Sequence, residues 1–183
     1  MLEITIPDSE YFDESRGAFN SVKGQKIKIE HSLVSISKWE SKWHKPFLAN
    51  NIPKTFEEQI DYIRCMTITQ NVDPDIYYFI PESEMDRISA YLENPMTATW
   101  FSNRNGKSSG HGREIITSEI IYWEMIEFGI PYEFEKWHIN RLLTLIRVCS
   151  EKNSSGKKMS KKDIYKQNKA LNAARRKQYG SKG

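Results

Sequence analysis

The chain has 183 residues, 38% hydrophobic and 28% charged. That length suits one domain, or one domain with a tail, and excludes a multidomain machine, while five Trp, nine Tyr and eight Phe supply core anchors that a wholly disordered chain lacks. The net charge of +3 conceals a division, since residues 1–150 carry 16 basic and 22 acidic side chains and residues 151–183 carry 11 and 2. Cys65 and Cys149 lie far apart and outside any CxxC or Cys/His spacing, so a reduced cytosolic setting is expected. The opening Met-Leu-Glu-Ile-Thr-Ile-Pro-Asp has acids where a secretion signal needs bases, and no run approaches the roughly 18 apolar residues of a membrane span.

Two alternating stretches, Leu2 to Ile6 and Lys26 to Glu30, predict strands of a small sheet or hairpin, separated by a loop containing Gly and Ser. Ser35 or Ser37 then caps a short helix whose Trp39 and Trp43 share one face before Pro46 ends it. Thr55-Phe56-Glu57-Glu58 reads as a capping box, with Phe56, Ile60, Ile63 and Met66 at helical spacing, which predicts a helix over 56–67. Pro81 followed by Glu82 and Glu84 starts another over 82–93, stopped by Asn94-Pro95. Residues 102–113 hold no apolar anchor and read as a mobile loop.

Two long helices follow, about 114–128 and about 132–150, punctuated by Gly129 as a left-handed cap and by Pro131. The second has a polar stripe, Asn140, Thr144, Arg147 and Glu151, against a broad apolar face. The first is apolar on nearly every side, with Ile116, Ile120 and Trp123 on one stripe, Ile121, Met125 and Phe128 on another, and Ile115, Tyr122 and Ile126 on a third. Such a helix is either central in the domain or shared with another chain, and the buried-centre reading is favoured. After Cys149 the composition reads as a linker, and Ser160 can cap a final basic helix running to about Gln178 with a thin stripe of Ile164, Leu171 and Ala174.

Chemical motifs are scarce. Gly106-Lys107-Ser108 lacks the upstream glycine of a phosphate loop, because Phe101 stands in its place, and His31, His44, His111 and His138 form no metal-ligand spacing. His138, beside Trp137, reads as a hydrogen-bonded core residue, and His111 has no acid to orient it. The carboxylate pairs Glu57 with Asp61 and Glu84 with Asp86 read as solvated faces. No catalytic residue, cofactor site or metal site is assigned. The basic tail is the strongest local signal: it can bind phosphates, but an acidic partner protein or self-docking is favoured over nucleic acid.

The strings Ile36-Ser-Lys-Trp-Glu-Ser-Lys-Trp-His-Lys-Pro-Phe-Leu48, Tyr62-Ile-Arg-Cys-Met-Thr67 and Pro95-Met-Thr-Ala-Thr99 resemble the tail assembly chaperones of tailed bacteriophages. The likeness continues through Glu114 to Ile121, Glu135 to Cys149, Lys158 to Lys161 and Ala170 to Lys177, and so covers most of the chain from Ile36 onward. It implies a non-catalytic morphogenesis factor that binds the tape measure protein, keeps it soluble and recruits tail tube subunits. Such a factor acts in the host cytoplasm and is not expected in the mature virion. The competing classes are a virion structural part, such as a head–tail connector or tail-completion protein, and a small nucleic-acid-binding module.

The expected architecture is mainly α: a single helical domain over 1–150 with a small N-terminal β element, then a flexible linker and hinged basic helix over 151–183. The expected partner-binding residues are Ile164, Leu171, Ala174, Arg175 and Arg176, with self-association as a further possibility and no membrane partner.

Overall fold

The computed structural model describes residues 1–14, 17–49, 51–101, 115–156, 165–166 and 168–172. The alternation at the N-terminus produces the two expected strands, β1 (Leu2–Ile6) and β4 (Gln25–Ile29), which pair antiparallel with Leu2 opposite Ile29 and Ile6 opposite Gln25. Period two sends Ile4, Ile6, Ile27 and Ile29 inward, none more than 1% exposed, and sets Glu3 opposite Lys28 on the outer face.

The segment between them is not a loop. It folds into a second antiparallel hairpin, β2 (Ser9–Asp13) with β3 (Ala18–Val22), in which Phe12 lies opposite Phe19. Among its described side chains this hairpin buries only Val22 fully and is half-covered at Tyr11, which lies 5.5 Å from the Phe79 ring, so its sequence carries little inward/outward contrast. With two antiparallel sheets, about 52% helix and 15% strand, the protein is mixed α/β, and the mainly α expectation is corrected.

The helices largely follow their punctuation. In α1 (Leu33–Trp43) the capping box joins Ser32 to Ser35, so the cap falls earlier than Ser35 or Ser37, and the helix ends at His44, whose φ of 53° is left-handed. The box at Thr55 and Glu58 opens α2 (Phe56–Met66), and α3 (Glu82–Glu93) keeps its expected bounds. A short 3-10 helix, Ile76–Phe79, connects them.

The first of the two long helices shortens to α4 (Ser118–Glu127), with Gly129 beyond it at φ 62° as the left-handed cap requires. The second is broken into a 3-10 helix, Tyr132–Lys136, and α5 (Ile139–Gly156). The break has a tertiary cause: Trp137 and His138 leave helical geometry so that His138 can bridge to Ser32 and the Ile139 N–H can donate to the His31 carbonyl at 2.7 Å. Asn140 then caps α3 by donating to the Leu92 and Asn94 carbonyls at 3.0 and 2.8 Å.

The chain divides into two compact units, Met1–Ile146 and Arg147–Gly183. The first holds the core, centred on Leu33, Ile36, Trp39, Ile60, Met66, Ile76, Ile121, Ile139 and Leu142. In the second, α5 continues through 151–156, the stretch whose composition reads as linker, with Arg147 and Glu151 paired at 3.1 Å one turn apart. The loop at 102–113 lies outside the described residues.

Gly24 is closely surrounded: a Cβ there would stand 2.5 Å from the Asp8 nitrogen and 2.6 Å from the Ile6 carbonyl oxygen. The Gly24 N–H also donates to the Asp8 carboxylate at 2.6 Å, which locks the crossing between the two hairpins. Gly24→Ala is therefore expected to cost about 1–3 kcal/mol through backbone displacement, read as a lower thermal midpoint with the helical circular dichroism retained.

Candidate interaction surface

A buried carboxylate positions α4, which carries an exposed apolar face. Glu40, on the last turn of α1 and 7% exposed, accepts the Phe47 N–H at 2.7 Å with one oxygen and the Ser118 N–H at 2.7 Å with the other. Both are otherwise orphan donors, one just past α1 and one at the start of α4, where a negative charge also favours the helix dipole. The middle of α4 is tied by the Tyr122 hydroxyl, which donates to Glu135 at 2.9 Å, and Tyr122 stacks with Tyr132 at 5.8 Å.

Held at its start and its middle, α4 buries one stripe, Ser118, Ile121 and Met125, each no more than 2% exposed. The opposite stripe faces outward at helical spacing: Glu119, Trp123, Ile126 and Glu127. Trp123 is 60% and Ile126 79% exposed, and Ile115, Ile116 and Tyr132, at 51%, 46% and 65%, extend the apolar surface beyond the helix ends. The expectation of a buried-centre helix is therefore corrected. One turn-to-turn stripe suffices to dock α4, and the all-round apolar pattern marks a second, uncovered face.

The polar groups of the interior are engaged in structural roles. The Trp39 indole donates to the Glu58 carbonyl and the Trp43 indole to Asp61, both at 2.8 Å, so the two rings expected on one face lock α1 to α2. Asp61 is 6% exposed and pairs with Lys42 at 2.5 Å, and Glu58 pairs with Lys45 at 2.5 Å. The reading of Glu57 and Asp61 as a solvated pair thus fails at Asp61. Lys45 and the Thr55 cap hold the Glu58 carboxyl below its usual range. Glu84 pairs with Arg87 and accepts the Thr5 N–H, while Asp86 is exposed.

His31 and His138, both buried, meet edge to face with ring centres 5.0 Å apart. His31 Nδ1 bonds the Tyr62 hydroxyl at 2.5 Å and His138 Nε2 the Tyr91 carbonyl at 3.0 Å; the Tyr91 hydroxyl donates to Glu30, which also pairs with the N-terminal ammonium. Burial, and then His138, lower the His31 pKa from 6.5 to about 3, and burial lowers that of His138. Both rings are neutral at physiological pH, and burial raises the Tyr62 and Tyr91 hydroxyls. Near this network a cleft of about 500 Å³ is lined by Glu30, Ser35, Lys38, Cys65, Ile68 and Lys136. Its thiol is pushed up to about 11 by burial and then by Asp61, so it is not poised as a nucleophile. Among the described residues no group of three or more His, Cys, Asp or Glu is arranged for a metal ion, and no helix is long and apolar enough to cross a membrane.

Of the partner-binding residues expected in the tail, Leu171 is helical and 48% exposed, while Ile164, Ala174, Arg175 and Arg176 lie outside the described residues, as does His111. Sequence reasoning passed over Trp123 and Ile126 as contact residues, although the apolar excess of α4 was the signal for them. Nothing in the sequence singled out Glu40.

No family, curated protein or solved structure matches the chain.

Two expectations follow from these contacts. Glu40→Ala leaves the Phe47 and Ser118 N–H groups without their acceptor and should cost about 3 kcal/mol, with amide exchange accelerating first across 118–125. Separately, unfolded His31 takes up a proton below about pH 6.5 whereas folded His31 resists it down to about pH 3, so stability is greatest near neutrality and falls as the pH drops through that window. The His31 contribution at about pH 5 is about 2 kcal/mol, to be read from urea unfolding; in His31→Gln the difference between neutral and acid pH should shrink by that amount.

Proposed function

We propose that this protein is a tail assembly chaperone of a tailed bacteriophage, a non-catalytic factor that binds the tape measure protein and tail tube subunits during assembly in the host cytoplasm. The carrying observation is the outward face of α4, where Trp123 and Ile126 are held in place by contacts on the opposite face. A chaperone of a long apolar-striped partner needs apolar surface that is available in the free state and does not collapse onto its own core. The resemblance across Ile36 to Leu48, Tyr62 to Thr67 and Pro95 to Thr99 gives this surface its proposed client.

The basic tail supplies a second contact. In sequence, Ile164, Leu171 and Ala174 recur at seven and three residues ahead of Arg175 and Arg176, a narrow apolar pattern whose small contact area keeps affinity modest, which suits a factor later displaced by tail tube subunits.

Co-expression with the phage's tape measure protein should raise that protein's soluble fraction. Trp123→Asp with Ile126→Asp should remove most of the gain, and Ile164→Asp with Leu171→Asp should weaken it more than Arg175→Ala with Arg176→Ala. Equal solubility with and without this chain would overturn the chaperone role. A dominant effect of the arginine pair, with DNA retained at low salt, would move the assignment to nucleic-acid binding; recovery of the protein in purified virions at stoichiometric amounts would move it to a structural component.

A further inference from the structure

The outward face of α4 also states what its partner must look like. Residues 115–135 contain five glutamates and no lysine or arginine. Glu135 is buried on Tyr122, but Glu119, Glu127 and Glu133 are exposed. Glu119 and Glu127 stand on the same side of α4 as Trp123 and Ile126, so the apolar stripe is framed by negative charge. The Glu119 carboxyl is held below its usual range by hydrogen bonds at the helix start, the largest from its own backbone N–H and the next from the Thr117 side chain.

A partner that covered Trp123 and Ile126 with an apolar surface bordered by acids would bring like charges together, at a cost in affinity. An apolar surface bordered by lysine or arginine would gain apolar burial and charge pairing together. The footprint is also helical in scale, because Glu119, Trp123 and Ile126 repeat at four and three residues along one ridge, the spacing that an opposing helix matches with its own i, i+3, i+4 and i+7 side chains.

We propose that this face is a docking site for a basic amphipathic helix of a partner protein, with Trp123 and Ile126 as the apolar anchors and Glu119, Glu127 and Glu133 selecting the positive flanks. The inference rests on the reading of this protein as a binding factor, but not on the tape measure protein as client. Trp123, enclosed on binding, is the residue whose truncation costs most, and the glutamates set the salt dependence and the discrimination between charge types.

The full-length protein is titrated against two fluorescently labelled synthetic peptides of about 18 residues, enough for five helical turns, one patterned from leucine and lysine and the other from leucine and glutamate. Anisotropy should report binding of the lysine peptide at least about tenfold tighter than the glutamate peptide. Trp123→Ala with Ile126→Ala should weaken the lysine peptide by about tenfold or more. Glu119→Gln with Glu127→Gln and Glu133→Gln should weaken it by about threefold and flatten its salt dependence. All these side chains are exposed, so thermal midpoints near that of the parent are expected and separate lost binding from lost folding.

Equal binding of the two peptides overturns the charge selection. Full affinity for the lysine peptide in the Trp123/Ile126 variant overturns the site, placing the attraction on other acids. Concentration-dependent dimerisation that these two substitutions abolish, without peptide binding, assigns the face to a second copy of this chain and likewise overturns the proposal. If the lysine peptide binds as expected while co-expression leaves the tape measure protein insoluble, the docking site stands and the client is wrong.

Discussion

Five residues at the junction of β4 and α1, Lys28–Ser32, hold the first compact unit together, because the chain there is committed on two sides at once. The Glu30 N–H donates to the Met66 carbonyl and the Ile68 N–H to the Lys28 carbonyl, so the exit from α2 extends the β1–β4 pair. One residue further on, the His31 carbonyl takes the Ile139 N–H and Ser32 bridges to His138, which fixes the entry to α5. Residues far apart in sequence thus meet at Lys28–Ser32 through backbone groups that must be paired once buried. The loop-closure entropy of those long connections is offset by the core that closes around them, with Ile29, Leu33, Ile36, Met66 and Ile139 each no more than 1% exposed.

From that frame Glu40 reaches to α4. A buried carboxylate is costly unless its oxygens are saturated, and here each oxygen accepts a backbone N–H from a different segment. The result is a helix fixed by polar contacts at its start and its middle and by one buried apolar stripe along its length. A helix docked in this way can keep a tryptophan and an isoleucine outside without losing its place, and that separation of docking from display makes the surface usable by a partner.

The interior polar groups work differently. His31, His138, Tyr62 and Tyr91 lie in contact and resemble, as a set, the components of an acid–base site. Their environment argues for structure: burial keeps both imidazoles neutral and both phenols protonated, and their polar atoms point to each other, to Glu30 and to a backbone carbonyl. Groups tuned away from neutral pH and spent on one another leave no proton positioned for a substrate. The network therefore serves the fold, tying β4, α2, α3 and the entry to α5 to one another.

Local signals in the sequence determined the local elements. The alternation of β1 and β4, the capping box at Thr55 and Glu58, the stop at Asn94-Pro95 and the left-handed Gly129 are decided within a few residues, and each is found where its chemistry places it. The break at Trp137 and His138 was illegible, because helical continuity there loses to hydrogen bonds with His31 and Ser32, more than a hundred residues away along the chain. The second hairpin escaped for the opposite reason: it buries so little that no periodicity is imposed on it, and its neglect turned a mixed α/β fold into an expected mainly α one. For the candidate surface, the sequence determined that α4 has more apolar faces than one contact needs. Which face is covered was decided only by the tertiary structure, since Glu40 and Glu135 fix the rotation of the helix from outside it and composition carries no record of that choice.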